Sequence, residues 1–519
     1  MQRDNRVTFW LKDVSAILPS DKNQPLATLI ALFHLLNSEG IRYCHWKSNN
    51  HLEQAVQGQT DLDLLVDPAH GQRFRTILSR ANIKAMLSPP EARYPAIEDY
   101  LGIDADTGRL FHLHVHYQLI LGEQYVKNYH LPLECAFWDH VSFYQKLIKI
   151  PAPELELSVL AIRALLKYRD RDAVKDVLKI RTPGMPANIL NEFKYLLGHT
   201  DWIALQNILQ EHCDFISPEI VLDLLRTIPT SPRAGLLFYR LRQQLRRDLH
   251  EFQRFSTREA RRKYWQSILR QSLPFHYRAQ YKKIPVTGGK IIAVVGADGA
   301  GKTTIVNELQ RWLNWKLRVE NTYMGSQQPS WLTKVCKFID RGANKAWRIW
   351  KDLIGERNAP ARWLEALQEA SRNFYYLAIS RDRYKRYCAA RRQASQGTIV
   401  LCDRYPLEAI WRVMEQRPMD GPQIIPGDRT QGRRLAQYLS SCERKTYQKI
   451  RPPEHIIILH VSPEVSLKRK PEHDPSMIYA KAQALERIER NGLNITDIDA
   501  DRDLALVLLQ VKKAIWQLL

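Results

Sequence analysis

A glycine-rich segment between residues 296 and 304 has the composition of a loop that binds phosphate groups. It fits the pattern G-x-x-x-x-G-K-[ST] and lies between an apolar stretch and an amphipathic stretch that predicts a helix. Glycines let the backbone turn so that successive N–H groups point at phosphate oxygens, and the helix adds the positive end of its dipole. The predicted cofactor-binding residues are Gly296, Asp298, Gly299, Ala300, Gly301, Lys302, Thr303 and Thr304.

Two side chains of this loop have the chemistry that a nucleoside triphosphate requires. Lys302 can reach the β- and γ-phosphates, and the hydroxyl of Thr303 can bind Mg²⁺. We therefore expect ATP and Mg²⁺ as cofactors.

A second group of charged residues follows between residues 382 and 405. A basic amphipathic stretch that contains Asp382 and Arg383 precedes a glycine, the apolar strand TIVLC and the triplet Asp403-Arg404-Tyr405. Ligands of open parallel α/β sheets bind at the carboxyl ends of the strands. We therefore expect the triplet to lie beside the phosphate-binding loop.

These motifs resemble the thymidylate kinase family. The resemblance rests on the loop, the Asp-Arg pair, the Asp-Arg-Tyr triplet, and a strand HIIILHV followed by SPEVSLKRK, and it covers most of residues 288–519. It implies an α/β fold with a doubly wound parallel sheet of the nucleoside monophosphate kinase type. It also implies transfer of the γ-phosphoryl group of ATP to a nucleoside monophosphate.

The resemblance also implies roles for individual residues. Lys302, Asp403, Arg404 and Arg469 would be catalytic, with Arg469 closing over the transferred group. The acceptor would be bound by Arg383, Asp403, Arg404 and Tyr405. Arginine suits this task because its planar guanidinium group can donate two parallel hydrogen bonds to one phosphate.

The acceptor side of the sequence departs from the family pattern. The E-P-G triplet expected after the second strand is missing, as is the S-x-x-A-Y-Q run expected after the Asp-Arg-Tyr triplet. A long basic insertion occupies about residues 329–362. Both dTMP and another phosphorylated acceptor therefore remain alternatives.

A pair of carboxylates marks a second region of interest near the N-terminus. Asp61 and Asp63 are two residues apart in an apolar strand, so both project from one face and suit a Mg²⁺ site for nucleotidyl transfer. With the upstream segment HWKS, this arrangement resembles minimal nucleotidyltransferase-like proteins.

That resemblance fails at one position, because His114 stands where the family has a third acidic residue. His112, His114 and His116 alternate with apolar residues and share one face. One interpretation is an active site in which histidines replace a carboxylate as metal ligand. The other is a structural or substrate-binding face in a domain that no longer transfers nucleotides.

The strands and helices that would hold these residues are predicted to form three regions, because 519 residues are too many for one hydrophobic core. We expect an α+β nucleotidyltransferase-like domain at 1–150, a helical domain with a basic linker at 151–283, and the P-loop domain at 284–519.

The charge of the chain favours anionic partners. It is +22 with an isoelectric point near 9.6. Residues 233–283 interleave arginines with aromatic residues, which predicts either a surface for nucleic acid or anionic membrane, or a solvated helix packed on a neighbouring domain.

The sequence has no apolar stretch long enough for a signal peptide or a membrane-spanning segment. Its seven cysteines are scattered, and a reduced cytoplasmic protein is the expectation.

Three hypotheses for the whole chain follow. The first is an ATP-dependent kinase for a nucleotide-like phosphate. The second is a nucleotidyltransferase that modifies a sugar, a protein or RNA, with an ancillary ATP-binding domain. The third is a nucleotide-gated protein that binds nucleic acid.

Overall fold

The computed structural model describes most of the chain. It covers residues 24–123, 125–168, 178, 186–230, 235–272, 282–355, 359–413, 420–424, 433–472 and 474–519. Some predictions lie outside these residues. They concern the N-terminal residues before 24, most of the linker after residue 272, and much of the stretch that follows the Asp-Arg-Tyr triplet, up to about residue 430.

Two compact units make up the described chain. The first contains Lys84 and the residues before it, together with Tyr94–Ile268. The second contains Ala85–Arg93 and Leu269–Leu519.

Fifteen strands are present among the described residues. They are β1 (Tyr43–His45), β2 (Asp61–Val66), β3 (Lys84–Leu87), β4 (Ile97–Ile103), β5 (Leu110–His116), β6 (Leu119–Leu121), β7 (Tyr129–Leu131), β8 (Val141–Tyr144), β9 (Ile148–Pro151), β10 (Ile284–Pro285), β11 (Ile291–Gly296), β12 (Val319–Tyr323), β13 (Ile399–Asp403), β14 (His455–His460) and β15 (Ile495–Asp499).

The described α-helices divide between the same two units. Those of the first unit are α1 (Ala27–Ser38), α2 (Leu52–Val56), α3 (Gly71–Arg80), α4 (Glu134–Asp139), α5 (Pro153–Lys167), α6 (Ala187–Leu197), α7 (Trp202–His212), α8 (Pro218–Thr230), α9 (Gly235–Asp248) and most of α10 (Thr257–Ser272), whose residues from Leu269 belong to the second unit. Those of the second unit are α11 (Lys302–Leu313), α12 (Trp331–Ile354), α13 (Ala359–Ser395), α14 (Glu408–Val413), α15 (Arg433–Gln448), α16 (Pro463–Arg469), α17 (Pro475–Glu486) and α18 (Leu504–Leu518).

The sheet of the first unit has strands in the order β1-β2-β5-β4. β2 and β5 are parallel, and this register places Asp61 opposite His112 and Asp63 opposite His114. β4 is antiparallel to β5 and places Asp99 opposite His114 as well. The apolar residues between these positions, such as Leu62 and Leu113, are fully buried and hold the register.

The helices that follow pack on one hydrophobic core. This core extends from Trp46 through α5 to Phe193 and Phe238. Pro153 begins α5, where its missing N–H group is not needed, and the Asp201 side chain accepts a hydrogen bond from the Ile203 N–H at the start of α7.

The basic segment forms two helices, α9 and α10. One face of α9 is buried: Phe238 lies in the core, and Arg242 is fully buried beside Glu123. Trp265 of α10 is exposed. This segment therefore combines packed and solvent-facing aromatic residues.

The second unit contains a five-stranded parallel sheet in the order β12-β13-β11-β14-β15. Its central strands are continuous apolar runs, as expected when helices cover both faces of a sheet. The predicted parallel α/β architecture is confirmed for this unit. Because β11 and β13 are neighbours, their carboxyl ends meet at one edge.

The predicted insertion forms α12 and the start of α13. Helix α12 exposes Trp331, Phe338 and Leu353 to solvent. Within the part of the chain that the structure describes, no helix combines the length and apolarity that crossing a membrane requires.

Candidate functional site

The loop between β11 and α11 takes a backbone form that requires glycine. Gly299 and Gly301 have φ values of 84° and 81°, in the left-handed region. A Cβ on Gly299 would also lie 3.0 Å from the hydroxyl oxygen of Ser466. The tight turn places Lys302 and Thr303 at the first residues of α11.

Lys302 is buried and folds back over the loop. Its ammonium group donates hydrogen bonds to the carbonyl oxygens of Gly296, at 3.0 Å, and Ala297, at 2.7 Å. Burial, with the nearby charge of Arg404, lowers the pKa of Lys302 to about 8. Phosphate oxygens at the loop would compete with the two carbonyls for this ammonium group.

Thr303, in the first turn of α11, is in direct contact with Asp403, the last residue of β13. The Thr303 hydroxyl donates to Oδ2 of Asp403 over 2.5 Å. The other oxygen, Oδ1, is buried and has no hydrogen-bond partner among the described residues. A hydroxyl and an unpaired carboxylate oxygen are the hard oxygen ligands that Mg²⁺ prefers, so these two residues fit the ion.

Asp298, in the loop, organises the positive charge around it. Its carboxylate pairs with Lys481 and lies 3.3 Å from a guanidinium nitrogen of Arg404. Burial opposes its ionisation, but the hydrogen bond and charge of Lys481, with the charges of Lys302 and Arg404, lower its pKa to about 2. Asp298 is therefore ionised and orients two cationic side chains.

Arg404 occupies a backbone conformation that is uncommon for a residue with a side chain. Its φ is 67°, and its N–H donates to the carbonyl oxygen of Val294 over 3.2 Å. This bend turns the chain directly after Asp403. Such strain is a mark of functional positions.

Arg383 is buried within α13 and shares an acidic partner with Arg404. It donates to the Tyr447 hydroxyl at 2.6 Å and to the Asp420 carboxylate at 2.9 Å. The second oxygen of Asp420 lies 3.5 Å from Arg404. Asp420 thus lies between the two arginines that the family resemblance assigns to the acceptor phosphate.

A cavity of about 470 Å³ opens over the loop. Arg469, Lys470 and Arg502 line it together with the loop residues. Arg469 donates to the carbonyl oxygens of Gly299, at 3.3 Å, and Ala500, at 3.1 Å. The structure therefore brings Arg469 to the same cavity as Lys302.

Tyr405 lines a small pocket together with Lys302, Arg404 and Asp420. Its side chain is almost fully buried, and its hydroxyl donates to the Arg451 carbonyl oxygen over 2.7 Å. Asp420, Lys481 and Arg502 could not be predicted from the sequence, because each is a single charged residue outside any motif.

The predicted carboxylate pair of the first unit lies among histidines. Asp61 is 2.9 Å from Nδ1 of His112, and Asp63 is 2.9 Å from the Lys47 ammonium group. Among the described residues, three groups bring three possible metal ligands together. Two of them combine Asp63 or Asp99 with histidines, the third is His140 with Glu211 and His212, and none contains Asp61.

The strand order, the loop geometry and the Thr303–Asp403 pair define the second unit as a P-loop α/β domain. No family model matches the chain. YghR of Escherichia coli strain K12, described as an uncharacterized ATP-binding protein, is 29% identical over 233 residues, which are 43% of this chain and 86% of YghR. YghS of the same strain, with the same description, is 26% identical over 216 residues, 40% of this chain and 85% of YghS.

A solved structure of deoxyadenosine kinase from M. mycoides with bound dATP is also similar over 44% of this chain and 98% of that chain. Its TM-score is 0.26 and its sequence identity is 13%, too low to indicate a shared substrate.

Proposed function

We propose that the second unit binds ATP with Mg²⁺ and transfers the γ-phosphoryl group to the phosphate of a nucleoside monophosphate or a related acceptor. The contact between Thr303 and Asp403 beside the glycine loop carries this proposal. It joins the hydroxyl and the carboxylate that P-loop enzymes use for the metal ion.

Binding of ATP is supported by the loop and by the relatives. The cavity over the loop is within the range of small-molecule sites, about 300 to 1,000 Å³, and is lined by cationic side chains. YghR and YghS are both described as ATP-binding proteins.

The proposed reaction needs positioning and positive charge more than covalent chemistry. An oxygen of the acceptor phosphate attacks the γ-phosphorus, and the bond from that phosphorus to the β–γ bridging oxygen breaks, so ADP leaves. In this reaction Lys302, Arg404 and Arg469 would stabilise the negative charge that spreads over the transferred group. Mg²⁺ bound by Thr303 and Asp403 would neutralise the charge on the β- and γ-phosphates.

The acceptor would take the place that Asp420 now has beside Arg383 and Arg404. Both guanidinium groups already hold a carboxylate, and a phosphate monoester offers the same acceptor atoms with more charge. The sequence departs from the thymidylate kinase pattern on this side, so the acceptor class includes dTMP and other phosphorylated compounds.

ATP hydrolysis and transfer by the purified chain would test this proposal against a panel of nucleoside monophosphates. Lys302→Ala should abolish turnover. Lys290→Ala, at the residue directly before β11, should leave turnover unchanged. ATP binding without turnover for any acceptor would restrict the proposal to nucleotide binding. Equal turnover in Lys302→Ala and the wild type would contradict it.

A further inference from the structure

We propose that Asp63, His114 and His116 of the first unit form a binding site for a divalent transition metal of the Zn²⁺ class. One ligand atom from each residue lies within 4.8 Å of the other two. Four ligands around a zinc ion are about 3.4 Å apart, as follows from bonds of about 2.1 Å, so a small contraction closes the site. This site uses a different ligand set from a Mg²⁺ pair at Asp61 and Asp63.

His116 is the strongest evidence for a missing ligand. Its side chain is 1% exposed, and neither ring nitrogen has a hydrogen-bond partner among the described residues. A buried polar group without a partner costs free energy, and such groups occur where an ion or a functional ligand binds. The Trp46 ring packs edge-on against this imidazole at 5.1 Å, which fixes the ring but gives it no hydrogen bond.

His114 has the support that metal-binding histidines have in other proteins. Its Nδ1 lies 2.9 Å from Oδ1 of the buried Asp99, which leaves Nε2 for a metal ion. Carboxylate–histidine–metal arrangements of this kind fix the ring orientation and raise the basicity of the ligand nitrogen. The antiparallel register of β4 and β5 places Asp99 directly opposite His114, so the sheet itself builds this contact.

Asp63 completes the set with an oxygen ligand. The parallel register of β2 and β5 places it opposite His114. Lys47 lies 2.9 Å from Oδ1, and carboxylates that bind metal ions are commonly hydrogen-bonded in this way. The Lys47 ammonium group is then a cation close to the proposed metal ion. An anionic ligand bound to the metal would reduce the repulsion between the metal ion and this ammonium group.

The ligand types select the class of metal. Two imidazoles and one carboxylate suit Zn²⁺, Co²⁺ or Fe²⁺, and Mg²⁺ prefers a shell of oxygen atoms. Three protein ligands leave at least one coordination position for water or a substrate, which is the arrangement of catalytic rather than structural zinc sites.

Two other clusters compete for the assignment. Asp99, His112 and His114 also lie within the same distance limit, but Asp99 already bonds both histidines. His140, Glu211 and His212 form a group in which Glu211 is exposed and Nε2 of His140 lies 3.0 Å from Nε2 of His212. Of these three clusters of described residues, that of Asp63 contains a buried imidazole, His116, with no hydrogen-bond partner for either ring nitrogen among the described residues.

The test is metal content and Co²⁺ spectroscopy of the purified full-length chain. After treatment with a chelator, the protein is titrated with CoCl₂. Visible absorption gives the coordination geometry of the bound Co²⁺, and mass spectrometry of the metal gives the number of ions per chain. We expect one equivalent of tightly bound Co²⁺, which Zn²⁺ displaces and an excess of MgCl₂ does not.

Variants distinguish the three clusters. His116→Gln and Asp63→Asn should each lose the bound equivalent, and Asp99→Asn should weaken binding by about 10- to 100-fold, as is typical of an outer carboxylate. Asp61→Asn, His212→Gln and Lys302→Ala should retain it. Circular dichroism and thermal melting show whether each variant is folded, and Asp63→Asn preserves shape if His116→Gln does not fold.

Three results would overturn the proposal. Folded wild-type protein that binds no Co²⁺ or Zn²⁺ excludes the site. Loss of the metal in His212→Gln, with retention in Asp63→Asn, would assign the metal to the cluster of His140, Glu211 and His212. Displacement of Co²⁺ by Mg²⁺ contradicts the class of metal.

Discussion

The carboxylate of Asp420 lies 2.9 Å from a guanidinium nitrogen of Arg383, and Arg383 is 4% exposed. A second oxygen of the same carboxylate is 3.5 Å from Arg404. An internal anion therefore neutralises two arginines that come from different elements of the second unit. Removing it leaves the Arg383 charge buried with weaker compensation.

We predict that Asp420→Asn lowers the stability of the second unit and makes it dependent on added phosphate. Losing one partner of a buried ion pair costs about 3 kcal/mol. A nucleoside monophosphate should restore more of the melting temperature in this variant than in the wild type, because its phosphate replaces the lost carboxylate. Thermal melting with and without the monophosphate measures both effects.

Asp352→Asn is the matched control, since Asp352 is exposed on α12. Equal ligand-induced shifts in Asp420→Asn and the wild type would show that Asp420 does not lie at the phosphate subsite.

We predict that Thr303→Val lowers ATP turnover by about 10²-fold, as for the loss of one group that stabilises transition-state charge. Valine has the shape of threonine without the hydroxyl that contacts Asp403. Thr303→Ser keeps the hydroxyl and should retain most of the activity. Steady-state kinetics at several Mg²⁺ concentrations measures this difference. Equal activity of the serine and valine variants would show that the Thr303 hydroxyl has no role in the reaction.

The lowered pKa of Lys302 predicts a pH-dependent affinity for ATP. In the free protein this pKa is about 8, and bound phosphate should raise it because phosphate stabilises the ammonium form. Affinity should be constant below pH 8 and should fall by up to about tenfold per pH unit above it, with uptake of a proton on binding.

Calorimetry in buffers of different ionisation enthalpy measures this proton uptake. Lys302→Arg provides the control, because a guanidinium group stays protonated over this range. A proton uptake that persists in Lys302→Arg would assign the titration to another group.

We predict that Arg469→Ala lowers kcat by about 10² to 10³-fold with little change in the ATP affinity. In the described structure its guanidinium group bonds only backbone carbonyl oxygens, of Gly299 and Ala500, so it is free to turn to the transferred group. Lys468→Ala, one residue earlier on α16, is the control. If both variants changed kcat equally, the effect would come from local charge rather than from Arg469.

The sequence predicted much of the second unit because its signals are local. The loop, the apolar strands and the Asp-Arg-Tyr triplet are each contiguous, and a parallel sheet requires that strand ends meet at one edge. The position of Asp403 beside the loop follows from these facts, whereas its hydrogen bond from Thr303 is seen only in the structure. The predicted roles of these residues in catalysis remain predictions.

Other features depend on pairings between distant segments. Asp420 and Lys481 reach the site from separate loops and helices, and no spacing rule connects them to Arg383 or Asp298. Asp99 is a single acid in β4, and only the antiparallel register with β5 brings it to His114. The amino-acid composition of β4 and β5 does not indicate how the two strands are aligned.

The pairing of β2 with β5 also limits how the first unit can change in evolution. Side chains alternate along both strands, with Asp63 opposite His114 and with Leu62 and Leu64 on the other face, in the core that contains Leu113. An insertion or deletion of a single residue in either strand would exchange the two faces of that strand, so that its carboxylates or imidazoles would enter this core in place of leucines. Natural sequence changes here should therefore be substitutions, and length changes should be confined to the connections that precede β2 and follow β5.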